Sequence, residues 1–70
     1  MADVIVVDDD QNILIVLENM LIKAGHTVRT ALTGTEGLRL FSQQKPDLLI
    51  TDIIMPEKDG MELIAEIRRM

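Results

Sequence analysis

The chain has 70 residues, twelve acidic against seven basic side chains, a formal net charge of -5 and no cysteine. One domain is therefore the ceiling: a chain this short buries only about 60% of its unfolded surface, and neither a disulfide nor a thiolate-held metal can reinforce it. The acidic balance argues against a nucleic-acid surface, no apolar run reaches the ~18 residues of a membrane span, and Met1-Ala2-Asp3 lacks the basic and apolar regions of a signal peptide, so the chain reads as soluble and cytoplasmic.

Hydrophobic residues make up 47% of the chain but Phe41 is the sole aromatic, so the core is expected to be aliphatic, with the five methionines as filler. Residues 3–7 read as a strand, apolar and β-branched from Val4 to Val7, the pattern of a strand covered on both faces. Asp10 caps a helix running to about residue 24, where Gly25 is a natural stop. Residues 27–31 form a second strand, with Arg29 at a wetter position. Thr33-Gly34-Thr35-Glu36 matches a capping box. The helix it opens carries Leu38 and Phe41 on one face and ends before Pro46. Residues 47–51 are a third strand, again apolar from Leu48 to Ile50. A loop punctuated by Pro56 and Gly60 follows, then a third helix over 59–70 with Met61, Ile64, Ala65 and Ile67 or Arg68 at helical spacing. Strands alternating with helices imply a parallel sheet with right-handed crossovers, an α/β fold.

The first strand runs into Asp8-Asp9-Asp10 and the third into Asp52. In an open parallel sheet, ligands sit beyond the C-terminal ends of the strands, where the strand order reverses. For an order 2-1-3 that point lies between the first and third strands, so Asp8 and Asp9 would face Asp52. Carboxylates gathered there call for a cation, and Mg²⁺ suits them: a hard ion that takes one or two carboxylates and fills its other places with water or phosphate oxygens. Any one of these aspartates, taken singly, reads more readily as a loop or cap residue. Their presence at the ends of both strands reverses that preference, except for Asp10, which keeps the capping role. His26, the sole histidine, reads as a surface turn residue, and Lys58 as a solvated loop lysine.

Val6-Val7-Asp8-Asp9, Asp52-Ile53-Ile54-Met55-Pro56 and Asp59-Gly60 closely resemble the receiver domain of two-component response regulators, over the whole chain and with matching spacing. The resemblance implies a flavodoxin-like parallel sheet of order 2-1-3. It implies Asp52 as acceptor of a phosphoryl group from a histidine kinase or phosphotransfer protein. It implies Mg²⁺ held by Asp9, Asp52 and the backbone carbonyl of Ile54, with Asp8 acting largely through water. Pro56, Asp59 and Gly60 would support the loop. The chemistry is coherent: a carboxylate oxygen is a weak nucleophile, and the metal neutralises charge on the incoming group.

The same resemblance implies a fourth strand bearing a Ser or Thr and a fifth bearing a Lys. None of Lys23, Lys45 or Lys58 falls at the end of a buried strand. The chain thus resembles a truncated, N-terminal half of a receiver, with no output domain, and impaired phosphorylation is expected. A bare third-strand edge and surplus apolar residues Leu14, Ile15 and Ile22 on the first helix lead to the expectation of a homo-oligomer through either surface. Two other readings remain. One is a self-assembling half-fold without chemistry. The other is an Mg²⁺-dependent aspartyl phosphatase similar to the haloacid dehalogenases, with Asp8 and Asp10 as its acid pair. That family's pattern accounts for neither Gln11 nor the group Asp52, Pro56, Asp59 and Gly60.

Overall fold

The computed structural model describes residues 1–52 and 60–69. Its elements follow in the order β1 (Asp3–Val7), α1 (Gln11–Lys23), β2 (Thr27–Ala31), α2 (Gly34–Gln43), β3 (Leu48–Thr51) and α3 (Gly60–Arg68). The three strands form one parallel sheet in the order β2-β1-β3. In register, Val4 lies beside Val28 and Leu48, and Val7 beside Ala31 and Thr51.

The central strand decides the core. Val4, Ile5, Val6 and Val7 are all essentially buried, because β1 is flanked by a strand on each side and covered on both faces. Side chains alternate across the sheet, which separates two clusters. Val4 and Val6 pack with Leu14, Leu17, Leu21, Val28 and Ile50 under α1. Ile5 and Val7 pack with Ala31, Leu63, Leu38, Phe41, Leu49 and Ile67 under α2 and α3. The expected pairing of Leu38 and Phe41 on one face of α2 is thus observed.

Helix ends follow local chemistry. Asp10 has extended backbone and its carboxylate accepts from the Asn12 N–H at 2.9 Å, the N-cap geometry expected of it. At the other end of α1 Gly25 takes φ 92. Its N–H donates to Ile22 O at 2.9 Å and the His26 N–H to Leu21 O at 3.0 Å, a Schellman closure. Only half of the anticipated capping box forms. Thr33 Oγ1 accepts from the Glu36 N–H at 3.1 Å, but the Glu36 carboxylate is taken by Arg39. That hydrogen bond holds the Glu36 carboxyl below its ordinary range.

Arg29 is more than a wet position. Its guanidinium pairs with Asp3 at 2.9 Å and donates to the carbonyls of Leu40 (3.0 Å) and Gln44 (2.8 Å), so it joins the start of β1 to the C-terminal end of α2. Gln44 also donates to Asp3, at 3.0 Å. Asp47 makes a reciprocal pair with Asp3: its N–H donates to Asp3 O and its carboxylate accepts from the Asp3 N–H, both at 2.8 Å. β3 begins at Leu48, one residue later than expected.

Four other expectations are corrected. Leu14 is not surplus: it is 5% exposed and is the one buried residue of α1, whereas Ile15 and Ile22 are exposed as anticipated. On α3 the buried residue is Leu63, with Ile67 packed beside it, whereas Met61 is exposed; the helix is turned so that a different stripe faces the sheet. Met1, Met20 and Met61 are all exposed and fill no core. His26 is half-buried, and its Nδ1 accepts from the Ala2 N–H at 3.0 Å, so it is no bare turn residue. The third strand is also less covered than its apolar sequence suggests. Leu48 is 52% exposed and no residue of β3 is buried, since among the described residues β1 is its one strand neighbour.

Candidate functional site

Backbone hydrogen bonds set the direction of the acidic residues. The Asp8 N–H donates to Ala31 O at 3.1 Å and the Asp52 N–H to Val7 O at 3.0 Å. Each bond continues the sheet ladder one residue beyond its strand, so both aspartates leave the same edge of the sheet in a fixed orientation. The chain after β1 goes to α1 on one face, whereas α2 and α3 occupy the other face. The C-terminal ends of β1 and β3, where the strand order reverses, are the position where open α/β sheets take their ligands.

The three consecutive aspartates have separate roles. Asp8 Oδ1 accepts from the Asp10 N–H at 2.9 Å, which tightens the turn after β1. Asp10 is committed to the cap of α1. Asp9 is exposed. One carboxylate oxygen from each of Asp8, Asp9 and Asp52 lies within 4.8 Å of the others. Two unit charges ~4 Å apart repel by about 1 kcal/mol in water and about 4 kcal/mol at the effective dielectric of a protein surface. A divalent cation among these oxygens would convert that repulsion into attraction, and an all-oxygen donor set suits Mg²⁺.

The structure therefore brings together Asp8, Asp9 and Asp52, and Gly60 opens α3. Ile54, Pro56, Lys58 and Asp59 lie outside the described residues. One contributor went unanticipated: Thr51 Oγ1 donates to Asp52 O at 3.1 Å and so helps to set the backbone that carries Asp52. A hydroxyl immediately before the strand-end aspartate was the only signal for it.

Comparison with known proteins identifies the family and the fold. The model of the response regulator receiver domain matches residues 4–70. The transcriptional regulatory protein AfsQ1 of Streptomyces coelicolor is 41% identical over 69 residues, which are 99% of this chain and 31% of AfsQ1. The chemotaxis protein CheY4 of Vibrio cholerae is structurally similar, with a TM-score of 0.95 and 35% identity over 99% of this chain and 57% of that one. The response regulator TrrA of Thermotoga maritima, crystallised with Mg²⁺ and BeF, gives a TM-score of 0.92 and 40% identity over 99% of this chain and 60% of that one. TrrA has also been crystallised in complex with the histidine kinase ThkA. The chain thus spans under a third of AfsQ1 and somewhat over half of the similar solved chains. A motif match over nearly all residues, coincident with the same three-strand topology, makes the chain a member of the response regulator receiver domain family.

Proposed function

We propose that Asp52 is the phospho-acceptor of this chain, and that Asp9 and Asp52 bind Mg²⁺ directly while Asp8 acts through water. The observation that carries this reading is the convergence of Asp8, Asp9 and Asp52 within 4.8 Å at the ends of adjacent parallel strands. In the proposed reaction an Asp52 oxygen attacks the donor's phosphorus. The acyl phosphate bond forms as the donor's bond to phosphorus breaks, and the electron pair of that bond leaves with the donor group. Mg²⁺ held by Asp9 and Asp52 would neutralise charge on the transferring oxygens, and positioning would supply the rest of the catalysis. The chain is an acceptor module, and the partner that matches its chemistry is a histidine kinase or phosphotransfer protein. Ile54, Pro56 and Asp59 retain the roles given by the family resemblance.

Incubation with Mg²⁺ and acetyl phosphate tests the assignment. An acid-stable, base-labile adduct is expected at Asp52, formed slowly because none of the three described strands carries a lysine to pair with the phosphoryl group. Asp52→Asn should abolish it. Label at Asp8 would instead favour an aspartyl phosphatase, and rapid labelling would refute the expected slow rate.

A second reading concerns assembly. Leu48 is 52% exposed on an edge strand, and Ile13, Ile15, Val16, Met20 and Ile22 are exposed on α1. We infer that the 70-residue chain self-associates through one of these surfaces. Sedimentation at micromolar concentration should show species larger than a monomer, and a well-folded monomer would overturn the inference.

A further inference from the structure

The start of β1 is held by a hydrogen bond that a single proton can break. The Ala2 N–H donates to His26 Nδ1 at 3.0 Å, and the Ala2 carbonyl accepts from the Thr27 N–H at 2.9 Å. A main-chain N–H can only donate. His26 Nδ1 must therefore present its lone pair, with the ring proton on Nε2. The ring is placed by a defined local structure. Gly25 at φ 92 and the bond from the His26 N–H to Leu21 O fix the backbone of His26 at the end of α1. Ala2 in turn packs against the cluster of Val4, Val6 and Leu14.

We propose that His26 is a pH-sensitive latch: the neutral ring fastens the segment entering β1, and the imidazolium releases it. Protonation places hydrogen on both ring nitrogens, so Nδ1 becomes a donor facing a donor and the bond is lost rather than weakened. The charged groups on the surrounding elements are Glu18 and Lys23 on α1, the Met1 amino terminus and Asp3 at β1, Arg29 on β2, and Lys45 and Asp47 before β3. Asp3 is held by Arg29 at 2.9 Å and by Asp47, on the α2 side of the sheet, whereas Ala2 packs on the α1 side. Among the described residues the ring makes one hydrogen bond, that from Ala2. None of the described carboxylates is bonded to the ring to hold it in place once it is charged.

NMR of the ¹⁵N-labelled chain tests the latch. At about pH 8 the ring nitrogens should show the Nε2–H tautomer. As acid is added until the His26 ring protons have shifted fully, the Ala2 amide shift should follow them. Its hydrogen exchange, corrected for the intrinsic pH dependence, should accelerate by about fivefold, the factor one net hydrogen bond supplies. His26→Gln offers an acceptor that does not titrate and should remove the response. Four outcomes overturn the proposal: an Nδ1–H tautomer, an Ala2 amide that ignores the ring, a response that persists in His26→Gln, or Asp8 and Asp9 amides moving on the same curve, which would signal general unfolding.

Discussion

Gly37 shows how one missing side chain sets the distance between a helix and the sheet. A Cβ built there would lie 2.7 Å from Val7 Cγ2 and 3.5 Å from Val7 Cγ1. Val7 cannot give way easily. It is 1% exposed, its backbone is in register with Ala31 and Thr51, and a β-branched side chain is stiff about χ1. Alanine would gain up to about 1 kcal/mol in helix propensity over glycine, but overpacking a filled core costs about 1–3 kcal/mol. At 2.7 Å from a buried, stiff side chain the steric term is the larger. Gly37→Ala should therefore lower the urea midpoint despite its better propensity, and the loss should shrink in a Val7→Ala background. A clear gain in stability from Gly37→Ala alone would show that α2 can lift off β1 at little cost.

At the scale of elements, α3 gives the sharpest test, because two stripes compete on it. Leu63 is fully buried and packs with Ile5, Val7 and Ala31, while Met61 is 64% exposed. Leu63→Ala should cost about 2–5 kcal/mol, a large share of the roughly 4–10 kcal/mol available to a chain this size. Met61→Ala should stay within about 0.5 kcal/mol. Thermal unfolding followed by circular dichroism separates the two, and equal losses would mean that α3 is not seated through Leu63. The same helix shows what sequence reveals and what it hides. The strands were legible because β1, covered on both faces, needs no choice of phase. Helix caps were legible because Asp10, Gly25 and Thr33 act through the next few residues. Helix phase was not. Met61, Ile64 and Ala65 make as good a stripe as Leu63 and Ile67, and five consecutive apolar residues from Ile13 to Leu17 leave the direction of α1 undetermined. Only the sheet chooses, by taking Leu14, Leu17 and Leu21 from α1.

Across the whole molecule, charge is handled differently at the two ends of β1. At its start Arg29 pairs with Asp3, a match between residues 26 apart that no local pattern announces. At its far end Asp8 and Asp9 meet Asp52, an arrangement that was legible because Asp8-Asp9 and Asp52 each come immediately after a strand. The metal site proposed at the carboxylate end would couple stability to cations. A ligand that binds only the folded chain stabilises it by about 1.4 kcal/mol at ten times its dissociation constant, or roughly 6–11 °C in Tm for a domain of this size. Mg²⁺ should raise Tm by that amount at such a concentration, and NaCl at equal ionic strength should raise it less, since diffuse screening cannot replace direct ligation. Asp9→Asn removes one like charge and one ligand together. It should hold or raise Tm without Mg²⁺ and flatten the response to it. Equal responses to Mg²⁺ and NaCl, or an unchanged Mg²⁺ response in Asp9→Asn, would mean that the three carboxylates do not act as one metal site. Because this readout needs no phosphoryl transfer, it separates failure of the metal site from failure of Asp52 as acceptor.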